Sequence, residues 1–255
     1  MAKADIFSKV PDLNYSEPAL NTDFNAFKDV VNSRRSIRVY DNTPIPESVM
    51  RECLDLAVLA PNSSNLQPWE FFWVRSPEKK AELVRLCLSQ PSAKTAQELV
   101  VAVARPDYWK INRDRMIEVL DQNGVKGAGF QYYHKVVPLA YGLGFMNLKG
   151  FFKKLFVFFR GLTQVTPRIP TSGLELELWA QKSTALACQN LMLSLRAAGF
   201  DSCPMEGMDG LRVRKLLNLP AGAKICMVIS AGKRASNGVY GPRIRFNNSY
   251  FIHEV

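Results

Sequence analysis

Histidine is scarce in this chain, and its cysteines do not cluster. The two histidines, His134 and His253, lie far apart and cannot supply the ligand set of a zinc site. The five cysteines are odd in number and widely spaced, with no Cys-X-X-Cys pair. We therefore expect no metal site, and we expect reduced thiols in a cytoplasmic protein.

Long hydrophobic runs are also missing. The uncharged stretch 136–148 is too short to span a bilayer, and residues 1–10 lack the apolar core of a signal peptide. The sequence has no Walker lysine loop, no Gly-X-Ser-X-Gly elbow, no His-Glu-X-X-His motif and no dinucleotide glycine fingerprint. These absences argue against phosphate-loop nucleotidases, elbow-type serine hydrolases, zinc peptidases and simple Rossmann dehydrogenases.

The composition instead favours a folded domain with anionic partners. Hydrophobic residues make up 47% of the 255 residues, enough for a sizeable core, and the formal net charge is +10. The basic residues form no recognisable nucleic-acid motif, so we expect no nucleic-acid partner. A bound nucleotide or phosphate remains compatible with this charge, as does an acidic membrane surface.

Hydrophobic periodicity predicts helices interleaved with a few strands. Helices are predicted from residue 25 to the Arg34 segment and over 46–59, 77–88, 174–199 and 213–217, with Ser76 as an N-cap and Gly199 just past the longest helix. Strands are predicted over 69–75, 98–104 and 223–231, followed by a tail that turns β-like after residue 238. Residues 1–24 are predicted to be an extended arm, and residues 105–172 follow no clear pattern.

Two polar segments in the first third of the chain could hold an anion or a heterocycle. Arg34, Arg35, Ser36 and Arg38 can make forked hydrogen bonds to a phosphate, although a solvated basic patch is the alternative. The loop 61–69 offers neutral donors and acceptors between two prolines, namely Ser63, Ser64, Asn65 and Gln67. An ordinary turn with capping side chains is the alternative interpretation of this loop.

Two further segments lie in the last third of the chain. Pro204 and Gly207 predict a turn within residues 202–209, which can direct backbone N–H groups outward. Glu206 in this turn suggests an acid–base role, but no partner that would shift its pKa is evident. Lys233 and Arg234 follow the predicted strand 223–231, where they suit either phosphate contact or a solvated turn.

The order and spacing of these segments resemble the nitroreductase family of FMN flavoproteins. Residues 34–38 resemble the family's Arg-Arg-Ser-X-Arg motif, and residues 60–69 resemble its Ala-Pro-Ser-X-X-Asn-X-Gln-Pro-Trp loop. Residues 191–209 are similar to its central helix and proline-glycine loop, and residues 232–234 to its glycine-basic turn. The resemblance covers roughly residues 25–104 and 174–255.

The resemblance implies an α+β fold with a central, mostly antiparallel sheet flanked by helices and a long central dimer helix. A single domain would span 25–255, with 105–172 as a variable lid or insert, and FMN would contact both subunits of a homodimer. The implied phosphate and ribityl contacts are Arg34, Arg35, Ser36, Arg38, Lys233, Arg234 and Arg245. The implied flavin contacts are Ser63, Ser64, Asn65 and Gln67, with Pro204, Met205, Glu206 and Gly207 covering one ring face. The backbone N–H of Glu206 or Gly207 would point at the hydride-accepting nitrogen.

The implied activity is transfer of reducing equivalents from NAD(P)H through FMN to a hydrophobic or aromatic acceptor, such as a nitroaromatic, quinone or enone. A flavin-binding sensor with little turnover, or a redox partner at a membrane surface, is the alternative. In the insert, Phe151, Phe152, Leu155, Phe156 and Phe159 fall on one helical face beside several cations. This face predicts either a lid or dimer-packing helix, or weak membrane-surface contact through residues 149–160.

Overall fold

One four-stranded sheet forms the centre of the protein. The computed structural model describes residues 16–255, so the predicted arm lies outside the described residues up to residue 15, and residues 16–23 are exposed without helix or strand. The strands are β1 (Trp69–Trp73), β2 (Glu98–Ala104), β3 (Asp201–Met205) and β4 (Lys224–Gly232). Their order is β1-β2-β4-β3, and every neighbouring pair is antiparallel. The expected α+β fold with an antiparallel sheet is confirmed.

Helices cover both faces of the sheet and form the insert. Within residues 16–255 they are α1 (Phe24–Ser33), α2 (Glu47–Ala57), α3 (Pro77–Leu86), α4 (Pro91–Lys94), α5 (Trp109–Gln122), α6 (Ala128–Gln131), α7 (Val137–Tyr141), α8 (Leu148–Arg160), α9 (Gly173–Ala197) and α10 (Gly210–Leu216). Local side-chain chemistry sets some of the helix ends. The Ser76 side chain accepts a hydrogen bond from the Lys79 N–H and caps the start of α3. Gly199 has a φ of +85° just past α9, a conformation that glycine adopts without steric cost. Both predicted helix ends are confirmed.

The core lies on both faces of β2 and β4. In β2, Val101 and Val103 pack into a cluster with α3 and α10, while Val100 and Ala102 pack into a second cluster with α2 and α9. Successive side chains of a strand point to opposite faces, so both sets are buried. Because both faces of β2 are buried, its sequence is a continuous apolar run. The prediction that this strand is covered on both faces is confirmed.

Two predicted elements differ from the structure. The segment predicted to begin as a turn at residue 202 is strand β3, which pairs on one side with β4. An edge strand tolerates Pro204 because only one side of it must supply ladder hydrogen bonds. The tail after residue 238 was predicted to be β-like, but it contains no strand and only a short 3₁₀ turn, Asn248–Tyr250. β-propensity expresses packing against neighbours, and the tail's aromatic side chains are exposed instead.

The unassigned insert, residues 105–172, is helical. It contains α5 to α8, joined by 3₁₀ turns at Pro106–Tyr108 and Phe145–Asn147 and by a π-helical turn at Tyr132–Val136. The apolar stripe predicted on α8 is present, but it faces away from the rest of the chain, and Lys153 is buried instead. Among residues 16–255 no helix is both long and apolar enough to cross a membrane.

Candidate functional site

The segment around Ser36 is fixed to the free edge of β3. Ser36 forms a parallel bridge with Ser202, and the Ile37 N–H donates to the Ser202 carbonyl at 3.1 Å. Ile37 is fully buried in the core, so the residues on either side of it face away from the core. Arg38 then reaches along β3, where its Nη1 donates to the Cys203 Sγ at 3.3 Å. The sheet edge thus positions one hydroxyl and one guanidinium side by side.

A cavity of about 280 Å³, which we call the arginine cavity, opens beside this segment. Its lining residues are Arg34, Arg35, Ser36, Arg38 and residues 239–245. The C-terminal part closes the cavity because Arg35 Nη2 donates to the Gly241 carbonyl at 2.7 Å, and Arg243 Nη2 donates to the carbonyls of Asn32, at 2.8 Å, and Arg34. Among residues 16–255, five arginines and no carboxylate therefore line this concavity.

The electrostatics of the arginine cavity favour an anion. Burial lowers the pKa of Arg34, and the nearby guanidiniums of Arg243, Arg245 and Arg35 lower it further. An arginine still keeps its charge at neutral pH, so this lowered pKa reflects first the burial of Arg34 and second the repulsion from the neighbouring cations. A phosphate would relieve that repulsion and accept several forked hydrogen bonds. The donor set therefore fits the phosphate end of a flavin mononucleotide.

The predicted turn segment lies next to the arginine cavity, at the end of β3. Met205 is buried, and its Sδ accepts from the Ser92 Oγ at 3.1 Å, which fixes the end of the strand. Glu206 and Gly207 follow and are exposed, with the Gly207 carbonyl accepting from Gln90 Nε2 at 2.7 Å. The structure thus brings the first and third sequence segments, 34–38 and 204–207, to the same edge of the sheet.

Lys233 and Arg234 lie close by, but they do not line the arginine cavity. Arg234 donates to both oxygens of Asp201, at 2.8 and 2.5 Å, and Lys233 Nζ donates to the Gly199 carbonyl at 2.9 Å. Their cationic groups are engaged in holding β3 and the end of α9. Arg243 lines the cavity instead, and sequence reasoning did not select it. The sequence feature that could have identified Arg243 is its Arg-X-Arg spacing with Arg245.

The polar loop lies at the other edge of the sheet, just before β1. Ser64, Asn65 and Gln67 have φ angles of +60°, +47° and +45°, in the left-handed region that non-glycine residues rarely adopt. The loop is held by buried Leu66 and by Asn62, whose Oδ1 accepts from the Gln67 N–H at 2.7 Å. Such clustered backbone strain is typical of ligand-binding segments.

Serine and tyrosine hydroxyls from the loop and the insert form one network. Ser63 Oγ lies 3.0 Å from the Tyr141 hydroxyl, and Ser64 Oγ lies 2.7 Å from that of Tyr132. These groups line a cavity of about 580 Å³, the hydroxyl cavity, together with Trp179 and residues 167–170. Burial raises the pKa of Tyr141, so its phenol stays protonated and able to donate at neutral pH. Sequence reasoning missed Tyr132 and Tyr141 because they lie in the insert, whose pattern could not be aligned.

Asn65 and Gln67 face a different cavity, of about 530 Å³, together with Trp69, Asn112 and Tyr108. Asn112 Nδ2 donates to the Leu66 and Gln67 carbonyls at 2.8 and 3.2 Å, so α5 supports the strained loop. The loop therefore stands between two cavities, with its serines on one side and its amides on the other.

Within one chain the polar loop and the arginine cavity lie at opposite corners of the sheet. Four inter-strand steps separate β1 from the Ser36 segment, about 19 Å at ordinary strand spacing. Trp69 pairs with Ala104 of β2, which in turn pairs with Lys224 near the start of β4. Ser202 pairs with Ala231, which lies about 24 Å further along β4. A single chain therefore carries two separated half-sites.

The fold agrees with the comparisons with known proteins. The model of the Nitroreductase family matches residues 31–233. The chain is 29% identical to an NADH dehydrogenase of Thermus thermophilus, over 83% of this chain and 88% of that protein. It is 26% identical to a 4-nitrobenzoate reductase of Pseudomonas putida, over 86% and 88% of the two chains. The chain belongs to the nitroreductase family, a family of oxidoreductases, as the sequence motifs predicted.

A solved structure supports the same fold. A candidate nitroreductase from Exiguobacterium sibiricum, crystallised in complex with FMN, is similar with a TM-score of 0.69 and 23% identity. The alignment covers 93% of this chain and 99% of that one, so it includes the insert as well as the sheet. The FMN of that structure and the nicotinamide cofactor in the name of the Thermus protein agree with the cofactors predicted from sequence.

Proposed function

We propose that this protein is an FMN-dependent oxidoreductase that takes reducing equivalents from NAD(P)H and passes them to a hydrophobic or aromatic acceptor. The observation that carries the proposal is the arginine cavity, whose lining in the described part of the chain has five guanidiniums and no carboxylate. In this assignment Arg34, Arg38 and Arg245 hold the FMN phosphate, and Arg35 and Ser36 add donors beside it. When bound, the flavin supplies the hydride-accepting ring.

The residues at the end of β3 suit the ring side of the same half-site. Pro204, Met205, Glu206 and Gly207 follow the strand that carries the Ser36 bridge, so they are positioned to cover one ring face. Exposed backbone at Glu206 and Gly207 could donate to a ring nitrogen, which orients the flavin without an acid–base side chain. Lys233 and Arg234 support this half-site by fixing Asp201 and the end of α9, beside the cavity.

The other half-site is proposed to come from a second copy of the chain. Ser63, Ser64, Asn65 and Gln67 lie at the opposite corner of the sheet, so a flavin bound beside Arg34 needs the loop of a partner. A two-fold homodimer places each loop against the partner's arginine cavity and makes two equal sites. Exposed apolar side chains are available to bury, including Leu178 and Leu186 on α9 and Phe246 and Phe251 in the tail.

The hydroxyl cavity supports an aromatic or carbonyl-bearing acceptor. It combines the Tyr132 and Tyr141 hydroxyls with the indole of Trp179, whose Nε1 is buried and has no hydrogen-bond partner among residues 16–255. A nitro, quinone or enone oxygen could accept from such donors while its ring contacts the apolar wall. The 4-nitrobenzoate reductase among the relatives acts on a compound of this class.

The test is flavin binding to the purified protein. We expect a yellow protein that releases FMN on denaturation, identified by absorbance and mass analysis. Replacing Arg34 and Arg38 with Ala should weaken FMN binding by about tenfold to hundredfold for each arginine, because charge-assisted hydrogen bonds are lost. The matched control, Arg51→Ala with Arg85→Ala, removes two exposed arginines elsewhere and should leave binding unchanged. Full FMN affinity in the Arg34 and Arg38 double variant would refute the assignment.

Turnover separates this function from the alternative of a sensor. Steady oxidation of NAD(P)H after addition of a nitroaromatic or quinone acceptor is expected for the enzyme. A flavin-loaded protein that is reduced once and then stops would instead support a binding protein with little turnover.

A further inference from the structure

The insert carries an outward apolar surface on α8. We call it the α8 face, and it consists of Leu148, Phe151, Phe152, Leu155, Phe156, Phe158 and Phe159. All of these side chains are exposed, with Phe152 at 61% and Phe159 at 63% of their accessible area. Flanking Phe145, Met146 and Leu162 are exposed as well. An apolar patch of this extent usually marks a binding surface.

The opposite side of α8 is fixed to the protein, and this sets the outward direction of the aromatic rings. Gly150, Lys153 and Val157 form the buried side of the helix. Lys153 Nζ donates to the carbonyls of Leu139 and Ala140 at 3.2 and 2.9 Å, and no Cβ fits at Gly150 because Asn147 and the Thr171 carbonyl lie against it. Turning the helix to bury its phenylalanines would break these contacts, so the α8 face remains outward.

The charge around the α8 face is mainly positive, with Glu175 as a nearby carboxylate. Between Asp121 and Glu175 the chain has no acidic residue, while it has seven lysines and arginines. At about 100° per residue, Lys149 and Arg160 flank one side of the apolar arc and Lys154 flanks the other, all of them exposed. The Arg160 guanidinium lies 5.7 Å from the Phe156 ring centre, a position from which it can extend toward an interface.

The exposed aromatic rings and the flanking cations together indicate which kind of partner the α8 face binds. A second copy packed on the same face would bring the flanking like charges together, and Glu175, beside Lys154, already accepts from Thr171. An anionic bilayer surface buries the rings at the level of the acyl chains and pairs the flanking cations with lipid phosphates. The helix is too short to span a bilayer, so it would lie in the plane of the surface.

We propose that the α8 face docks this protein onto the surface of an anionic lipid bilayer. A cavity of about 450 Å³ extends inward from the face, lined by Phe151, Leu155 and Phe158. It shares Arg168, Ile169 and Glu175 with the hydroxyl cavity, so the two cavities adjoin between the face and the serines Ser63 and Ser64. Provided that the proposed function holds, the acceptor is a lipophilic molecule that enters from the bilayer through these adjoining cavities.

Cosedimentation of the flavin-loaded protein with lipid vesicles tests the docking directly. We expect binding to vesicles of phosphatidylcholine with phosphatidylglycerol and little binding to pure phosphatidylcholine. Raising the salt from 0.1 M to 1 M should weaken the binding, because the screening length falls from about 10 Å to about 3 Å. This readout needs no turnover, and flavin content is measured separately by absorbance, so failure of docking and failure of the proposed function are distinguished.

Two variants locate the contact on α8. Phe152→Ser with Phe156→Ser should lower vesicle affinity by at least about tenfold, because two apolar side chains no longer enter the lipid. Lys149→Glu with Lys154→Glu should lower it by a similar factor. The matched controls are Leu211→Ser, an exposed leucine on α10, and Lys79→Glu with Lys94→Glu, which make the same charge change elsewhere.

Four results would overturn the proposal. These are no binding to the anionic vesicles, equal binding to both lipid compositions, unchanged binding in both α8 variants, and loss of binding in the controls to the same degree as in the α8 variants. A fifth result that would overturn the proposal comes from sedimentation velocity. If Phe152→Ser with Phe156→Ser converts an oligomer into monomers, the α8 face is an interface between copies of the chain and not a lipid contact.

Discussion

Asp201 fixes the edge of the sheet that carries the arginine cavity. Its side chain is only 1% exposed, and it accepts from Arg196 at 2.7 Å and from Arg234 at 2.8 and 2.5 Å. Burial alone would raise the pKa of Asp201, but the two guanidiniums outweigh it and hold the pKa below its ordinary value. The carboxylate therefore ties α9, β3 and the turn after β4 together while it is ionised.

The acid sensitivity of this contact is predictable. A depressed pKa in the folded state stabilises the protein fully above the unfolded pKa of about 3.9, and this stability is lost as the pH falls through the folded value. Asp201→Asn should lower the free energy of unfolding by about 1.5–3 kcal/mol at neutral pH, since two partly exposed arginines lose their charged partner. The difference from the wild type should shrink below about pH 4. Urea unfolding over a pH series measures it.

An exposed carboxylate provides the control for Asp201. Asp114 pairs with Arg113 at the surface, with 54% of its side chain exposed, so Asp114→Asn should change stability by less than about 1 kcal/mol. Equal effects of the two substitutions at neutral pH, or a cost for Asp201→Asn that does not change with acid, would contradict the role given to Asp201.

Individual site residues were only partly predictable from sequence. Residues 34–38 could be named because cations and a hydroxyl within five positions suit a phosphate, and they do line the arginine cavity. Arg234 was chosen by the same reasoning, yet its guanidinium is held by Asp201. Sequence shows that a cation is present, but a buried carboxylate 33 residues away decides where that cation points.

At the scale of the element, the position of α8 depends on the close packing of Gly150 against Asn147 and Thr171. A Cβ at Gly150 would collide with Asn147 Oδ1 and with the backbone carbonyl of Thr171, which cannot move as a flexible side chain does. The glycine thus allows α8 to lie against the 167–171 segment with its aromatic face outward. Any side chain at this position has to lift the helix from the body.

Gly150→Ala should therefore loosen α8 without unfolding the sheet. Crowding of this kind costs about 1–3 kcal/mol, so the amides of residues 148–160 should exchange with solvent about fivefold to a hundredfold faster. Hydrogen exchange followed by mass spectrometry resolves this segment from β2 and β4. Gly129→Ala is the matched control, because nothing lies within 4 Å of a Cβ there. Unchanged exchange in α8 would show that the helix is held in some other way.

Elements with a strong pattern were predictable, and those defined by a partner were not. The bounds of β2 were predicted from its apolar run, and α3 and α9 from their caps and periodicity. Strand β3 was missed because Pro204 and Gly207 suggest a turn, and only pairing with β4 makes the segment a strand. The prediction for the tail was wrong for the converse reason, since its β-forming residues find no partner strand among residues 16–255.

At the scale of the whole molecule, the two half-sites are separated, so the proposed dimer can be tested by mixing two variants that each carry one damaged half-site. In a two-fold dimer, Arg34→Ala with Arg38→Ala damages one half of each site, and Asn65→Ala damages the other half. Each variant alone should bind FMN poorly. A mixed dimer contains one site with both defects and one intact site. Random exchange of subunits should restore about a quarter of the wild-type sites, because half of the dimers are mixed.

Flavin fluorescence and absorbance report the recovery after the two variants are unfolded together and refolded. Refolding each variant alone is the control, and sedimentation equilibrium verifies that the dimer forms. If the mixture recovers no binding although dimers exchange, the Asn65 loop does not complete the partner's arginine cavity, and each flavin is held by one chain.

The sequence by itself determined the class of the protein. Short-range patterns encode the helix caps, the alternation of β2 and the motifs at 34–38 and 60–69, and these sufficed for the α+β fold and the nitroreductase family. Only the tertiary structure decided which cations remain available for an anion, which hydroxyls meet at Ser63 and Ser64, and which side of α8 faces outward. These outcomes depend on contacts between residues far apart in the chain, and no local pattern records them.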